Sequence, residues 1–556
     1  MSGNGSTHAK VLRLDSRDNV LVALTNLRKG ETISYAGSDC TLLADIPAKH
    51  KFLTQDVPAE GDVIMYGLLV GKALESLHRG DLLTTRNLRH AAASFHESKS
   101  AAPHWTPPDT SRWANRTFLG YHREDGQVGS RNYWLVLPLV FCENRNLAVL
   151  KQAFEEELGF AAPQIYRRQV SELARLYREG KTEQIKNAAL SDLQRASPGP
   201  RVFQNFDGIK FLLHEAGCGG THEDARNLCG LLAGYIHHPN VAGATVLSLG
   251  CQHAQVPMLI EEVKRRDPNF KKPLLIFEQQ KSASEAAMLT RAIRETFLGM
   301  MEADGLVRKP APLSKLKLAL QCGGSDGFSG LSANPAIGYS ADIVAALGGT
   351  GILSEFPELC GVEQQLIDRC VRKEVGDRFA QLMRDYAARA IAVFATFAMN
   401  PSPGNIRDGL LTDAMKSAGA AKKGGTSPVT AALDYPEYST EPGLNLHCTP
   451  GNDVESVSAQ VGAGANVVLF TTGLGTPTGN PIAPVLKIAT NSTLAHRMAD
   501  IIDIDAGGII TGDTSIEKMG EAILERAIRV TSGEERTKAE LLGQDDFIPW
   551  KRGVSL

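Results

Sequence analysis

The chain has 556 residues, is 43% hydrophobic and 22% charged, and carries a formal net charge of −3. That length allows two to four domains with large cores, and the balance is that of ordinary globular protein. It excludes a nucleic-acid or anionic-membrane surface built on a basic block, and no apolar run is long enough for a spanning helix.

The first twenty residues have no apolar core of a secretory signal, so a cytoplasmic location is expected. Residues 9–90 alternate short apolar runs with Gly, Pro and Asp turns, which predicts a small β-rich unit. Ala91–Thr117 is rich in Ser, Pro and Ala without periodicity and reads as a linker. From Tyr121 the texture changes. Tyr133–Cys142 is a continuous apolar run, and Gly243–Cys251 and Pro273–Gln280 are further buried-strand candidates separated by helical spacing. Strands alternating with helices predict a parallel sheet, with ligands beyond its carboxyl edge. The expected architecture is α/β: a small N-terminal β domain over 1–92, a linker over 93–116, a middle α/β domain over 117–310 and a C-terminal α/β domain over 311–556.

Nine scattered cysteines, odd in number and without a CxxC, fit free thiols better than a disulfide framework. Cys218 and Cys251 each follow a Gly at a strand end, each near a histidine (His214, His253), which sets them apart from ordinary buried thiols. Glu355, Glu358 and Glu363 are embedded among Phe356, Pro357, Leu359 and Val362. Carboxylates in apolar surroundings need a partner, a proton or a metal. The stretch Cys322–Gly330 is too poor in side chain for a core and predicts a ligand loop after the strand that precedes it, with Ser325 and Asp326 on substrate hydroxyls. "GLGTPTG" (Gly473–Gly479) is neither GxGxxG nor a Walker A, so no nucleotide site is expected.

Together the stretches "HEAGCG" (His214–Gly219), "CGGSDGFSGLSANP" (Cys322–Pro335), "EFPELCGVEQQL" (Glu355–Leu366), "NPSPGN" (Asn400–Asn405), "FTTGLGTPTG" (Phe470–Gly479) and "KIATNS" (Lys487–Ser492) resemble, in order, the altronate/galactarate dehydratase family of sugar-acid dehydratases. The first ninety residues are similar to that family's SAF (β-clip) domain. The resemblance implies dehydration of D-altronate first, or galactarate second, to a 2-keto-3-deoxy acid. It implies a divalent metal, Fe2+ first and Mn2+ second. On this reading the catalytic candidates are His214, Cys218, Cys251, Glu355, Glu358 and Lys487. The substrate-binding candidates are Arg131, Asn132, Ser325, Asp326, Asn334, Asn405, Asn452, Asp453 and Thr472. The metal candidates are Cys218, Cys251, Cys322 and Glu358. Lys416, Lys422 and Lys423 form a further basic cluster whose default reading is exposed lysine. Expected partners are a small sugar acid and a second copy of the chain as a homodimer, with no nucleic acid and no membrane.

Two departures stand out. Thr84 and Arg86 occupy positions where the family's SAF histidines are expected, leaving His90 or His50 to take that role, and Gln252 follows Cys251 where many relatives have Glu. The alternatives are a sulfolactate sulfo-lyase-like C–S lyase, an inactive sugar-acid-binding protein, and an iron–sulfur dehydratase using Cys218, Cys251 and Cys322.

Overall fold

The computed structural model describes residues 9–96, 104–161, 165–190 and 200–555. The middle of the expected linker, residues 97–103, lies outside them. The flank that follows is packed down: Trp113 is fully buried in the core of the C-terminal domain, and Arg112 pairs with Glu521 at 2.8 Å.

The N-terminal strands are two to six residues long, as the close spacing of turn residues dictates, and they pair antiparallel. One apolar face of this unit (Val22, Val63, Met65, Val70) packs on Phe328, Leu331, Leu411 and Met415, more than 250 residues downstream. The N-terminal domain is therefore seated on the C-terminal one.

The middle domain is a parallel sheet of β1 (Tyr133–Pro138), β2 (Gly208–Phe211), β3 (Val241–Ser248) and β4 (Leu274–Glu278) in the order β2-β1-β3-β4. It carries α1 (Asn144–Glu157), α2 (His222–His237), α3 (Val256–Arg266) and α4 (Glu285–Ala303). Alternate residues of β1 point to opposite faces. Tyr133, Leu135 and Leu137 meet α2 and α3, while Trp134 and Val136 meet α1 and α4. Cover on both faces is why the strand reads as an unbroken apolar run.

The C-terminal domain is a seven-stranded parallel sheet. Its strands are β5 (Lys317–Cys322), β6 (Thr350–Leu353), β7 (Val429–Leu433), β8 (Gly443–His447), β9 (Val467–Thr472), β10 (Val485–Ala489) and β11 (Ile504–Asp505), in the order β7-β8-β6-β5-β9-β10-β11. Helices α5 (Ala333–Ala346) and α8 (Ile516–Thr531) cover one face, and α7 (Asp453–Gly462) the other. Between them in sequence, α6 (Asp413–Ala420) lies against the N-terminal domain. The two α/β domains meet where α2 crosses α7. A Cβ on Gly234 would stand 2.1 Å from the Gly462 carbonyl oxygen, so only glycine permits that approach. Among the described residues no helix is long and apolar enough to cross a membrane.

Candidate active site

In the C-terminal sheet, β5 is flanked by β6 and β9, and the connections leave to opposite faces. This is a topological switch point, and the crevice beyond the carboxyl ends of these strands is where an open parallel sheet holds its ligand. The side chains gathered there are strongly polar and almost wholly buried. Cys322 Sγ, at the end of β5, lies 3.4 Å from Glu358 Oε2 and 3.7 Å from Glu355 Oε2. One ligand atom from each of the three lies within 4.8 Å of the others. Glu355 follows β6 with φ at 64°, a left-handed conformation costly for a residue with a Cβ. The turn is held because its N–H donates to Thr449 Oγ1 at 2.9 Å, and its carboxylate accepts from Gln321 Nε2 at 2.7 Å.

Two lysines enter this group. Lys423 Nζ sits 2.8 Å from Cys322 Sγ and is bonded to Glu355; Lys416 Nζ is 2.7 Å from Glu358 Oε1. Burial works against both ammoniums, yet the surrounding acids and thiol hold both above the usual lysine range. The acids still outnumber the lysines. Burial, with Glu358 adding repulsion, pushes Asp453 up to about 7 and Asp413 well above the carboxylate range. Neither Asp413 oxygen has a conventional hydrogen-bond partner. Burial also raises the Cys322 thiol well above its ordinary value.

The N-terminal domain closes the crevice with two lysines from its apolar strand Lys51–Leu53 and the turn before it. Lys49 Nζ lies 3.0 Å from Asp326 Oδ2 and 2.7 Å from Asp408 Oδ1. Lys51 is fully buried and donates to the Gly409 carbonyl at 2.7 Å. Burial brings Lys51 down to about 7, against the pull of Asp326. Lys51, Tyr66, Ser325, Asp326, Asn334 and Lys416 line one narrow pocket between the domains.

The expected site residues divide into three sets. Glu355, Glu358, Cys322 and Asp453 come together, with Ser325, Asp326 and Asn334 in the adjoining pocket. Several residues in and near the crevice have their polar atoms committed to protein, Asn334 among them, donating to the Gly419 carbonyl at 3.0 Å and accepting from Thr471 Oγ1 at 2.6 Å. Asp326 accepts from Phe328 N (3.2 Å), Ser329 Oγ (3.0 Å), Thr490 Oγ1 (3.0 Å) and Asn491 Nδ2 (3.2 Å) besides Lys49, which makes it a hub joining loops rather than a free hydroxyl acceptor. Asn405 closes a capping box with Ser402 and donates to the Ser325 carbonyl. Asn452 caps α7, and Thr472 Oγ1 accepts from Gly475 and Thr476 N–H groups. The third set lies elsewhere. Arg131 forms a buried two-bond pair with Glu540 (2.8 and 3.0 Å), and Asn132 ties Asp207, Arg123 and Ala303 together in the middle domain. Lys487 lies on β10, bonded to Gln544, and burial lowers it to about 8. His214, Cys218 and Cys251 stand at the carboxyl edge of the middle sheet, so Cys218 and Cys251 do not join Cys322 and Glu358 in one ligand group.

Lys49 and Lys51 were not singled out in the sequence. The available signal was a lysine standing between His50 and Phe52 in an otherwise buried triplet. Thr84 and Arg86 form a local turn, with Thr84 N donating to Asn87 Oδ1 at 2.8 Å and Arg86 exposed. His90 instead reaches α6, its Nδ1 accepting from Ala414 N at 3.4 Å.

Residues 9–91 match the altronate/galactarate dehydratase SAF domain, 120–304 the second domain of D-galactarate dehydratase/altronate hydrolase, and 313–555 the C-terminal domain of D-galactarate/altronate dehydratase. An altronate dehydratase of Escherichia coli is 33% identical over 98% of this chain and 99% of its own length. The chain belongs to the altronate/galactarate dehydratase family. Another family member, an altronate dehydratase of Bacillus subtilis, is 32% identical over 94% of this chain and 95% of its own length. A galactarate dehydratase (L-threo-forming) of Escherichia coli is 29% identical over 90% of this chain and 89% of its own length. The buried Cys322–Glu355–Glu358 group fits a divalent ion: a thiol and two carboxylates within reach of one centre, and an excess of buried acid over ammonium, with the Asp413 carboxyl beside them hydrogen-bonded only to the Cys360 thiol.

Proposed function

We propose that this protein is a hydro-lyase that dehydrates a sugar acid to a 2-keto-3-deoxy acid, with D-altronate the first substrate and galactarate the second. The observation that supports this reading is the pairing of a buried acid–lysine–thiol group with a lysine of depressed basicity facing it from another domain.

The difficulty of the reaction is the weak acidity of a C–H next to a carboxylate. Lys51, brought to about 7 by burial, is a competent neutral base near neutral pH. It takes the proton from C2. The electron pair of that C–H bond becomes the C2=C3 bond, and the C3–O bond breaks. Asp453, held protonated up to about 7, gives its proton to the departing hydroxyl, which leaves as water. The enol at C2 then tautomerises to the ketone. Charge developing on the substrate carboxylate faces the Lys416 and Lys423 ammoniums, which are fixed in place before the reaction begins. A divalent ion, Fe2+ first and Mn2+ second, held by Cys322, Glu355 and Glu358 would supply Lewis acidity toward the carboxylate and its neighbouring hydroxyl. Ser325 and Asn334 line the pocket where the remaining hydroxyls would lie.

The test is a panel of aldonic and aldaric acids assayed for 2-keto-3-deoxy products under reducing conditions with ferrous or manganese ion. Turnover of altronate or galactarate, abolished by chelator and restored by the ion, is the expected result. Full activity in excess chelator would remove the metal from the scheme, and no turnover of any sugar acid would remove the function.

A further inference from the structure

Three of the nine cysteines are exposed, and all three stand in one place. Cys142 follows β1, Cys218 follows β2 and Cys251 follows β3, and these are three adjacent strands of the middle sheet. Free cysteine is among the most buried residue types, so three exposed thiols on one sheet edge need a reason. The edge is itself a switch point. The chain leaves β1 through α1 on one face and returns through α2 and α3 on the other, which opens a crevice beyond β1.

The loops that carry the thiols are tied to one another. Phe141 N donates to the Ala216 carbonyl and Ala254 N to the Gly217 carbonyl, each at 3.0 Å. His214, kept neutral by burial, donates from Nε2 to the Pro138 carbonyl at 2.9 Å and accepts from Ala216 N at 3.1 Å, bracing the end of β1 against the loop of Cys218. Asn144 Nδ2 donates to the His214 carbonyl at 2.9 Å. Gly217 has φ at +103°, and a Cβ there would stand 2.2 Å from the Leu139 carbonyl oxygen, so the two loops approach as closely as backbone allows. Each cysteine also lies shortly before a helix, α1, α2 and α3 respectively, so all three loops leave the sheet edge in the same way. The three sulfurs are not all within 4.8 Å of one another, which is wider than a single ion bridges.

We propose that Cys142, Cys218 and Cys251 hold a [4Fe–4S]-type iron–sulfur cluster in this crevice, with the fourth iron free of cysteine and open to a small ligand. The inference stands apart from the function assigned to the C-terminal crevice, since no residue is shared. Cys218 lines a small cleft with His253, Pro549 and Trp550, so the open position faces a built surface rather than bulk solvent alone.

The full-length protein, prepared without oxygen and incubated with ferrous iron and sulfide, tests this. Iron and acid-labile sulfide are counted per chain, and the visible absorption and electron paramagnetic resonance spectra are recorded. Iron and sulfide in equal amounts, with cluster spectra, are expected. They should be lost in Cys142→Ser, Cys218→Ser and Cys251→Ser with melting temperature unchanged, and kept in Cys322→Ser. Absence of sulfide from the wild-type protein would overturn the proposal, as would a single zinc ion in its place. So would a cluster that survives Cys218→Ser or disappears in Cys322→Ser. Because Cys322→Ser is expected to lose turnover and keep the cluster, failure of one reading is distinguishable from failure of the other.

Discussion

Lys51 is the side chain whose chemistry is most altered by its place. An ammonium with one carbonyl acceptor and no exposed surface loses the hydration that stabilises its charge. Replacing it with Met should lower kcat by about 10²–10⁴-fold, the range for a lost general base, and should remove the acidic limb near pH 7 from the rate profile. A limb that persists in Lys51→Met would assign that titration to another group. The acids behave in the opposite sense. Asp453 and Glu363 both titrate near 7 in the folded chain, above their ordinary 3.8 and 4.5. Between those values the folded state holds protons that the unfolded state has released, so their contribution to stability is full at low pH and is lost as pH rises toward 7. The double variant Asp453→Asn, Glu363→Gln should show a flatter fall of melting temperature between pH 5 and 8 than the wild type. Arg131 is a residue of architecture. Its pair with Glu540 is buried on both sides, and Arg131→Met leaves that carboxylate with its Thr537 hydrogen bonds but without the buried cation. A loss of about 3–5 kcal/mol is expected on chemical unfolding, with KM unchanged in the folded fraction.

At the level of elements, α2 and α7 meet backbone to backbone. Gly234→Ala forces the two helices apart at the Gly462 carbonyl and should cost about 1–3 kcal/mol, read as a lower denaturation midpoint. Strands β1, β3 and β4 of the middle sheet, and β5 of the C-terminal one, were legible in the sequence because burial on two faces writes itself as continuous apolar runs, and Glu355 and Glu358 were legible because acids among Phe, Pro and Leu need an explanation. The lysines were less so. Lys416 and Lys423 look like surface residues until α6 and the turn after it bring them beneath the sheet edge, and Lys51 depends on contacts made across more than 350 residues. Motif membership also failed to separate ligand loops from loops that hold one another. Asp326, Asn405, Asn452 and Thr472 have side chains occupied by backbone and by neighbouring polar groups, which periodicity and composition cannot express.

For the molecule as a whole, the pocket exists only when the N-terminal domain is seated. Deleting residues 1–92 removes Lys49 and Lys51 and bares Phe328, Leu331, Leu411 and Met415 to water. The truncated chain should show no turnover, and should bind a hydrophobic dye that the full-length protein does not. Retained turnover would place the base elsewhere.

The seating of the first domain on residues far downstream also sets an order of events on the ribosome. The N-terminal β domain emerges first, but its landing surface is completed only when Met415 has been made. At about 5–20 residues per second, that separation is a wait on the order of tens of seconds. During it, the face of Val22, Val63, Met65 and Val70 has only its own domain to pack on, and the nascent chain presents a greasy patch to whatever stands at the tunnel exit. Chains halted before residue 410 should therefore be found in complex with a trigger-type chaperone, and chains released past residue 420 should not.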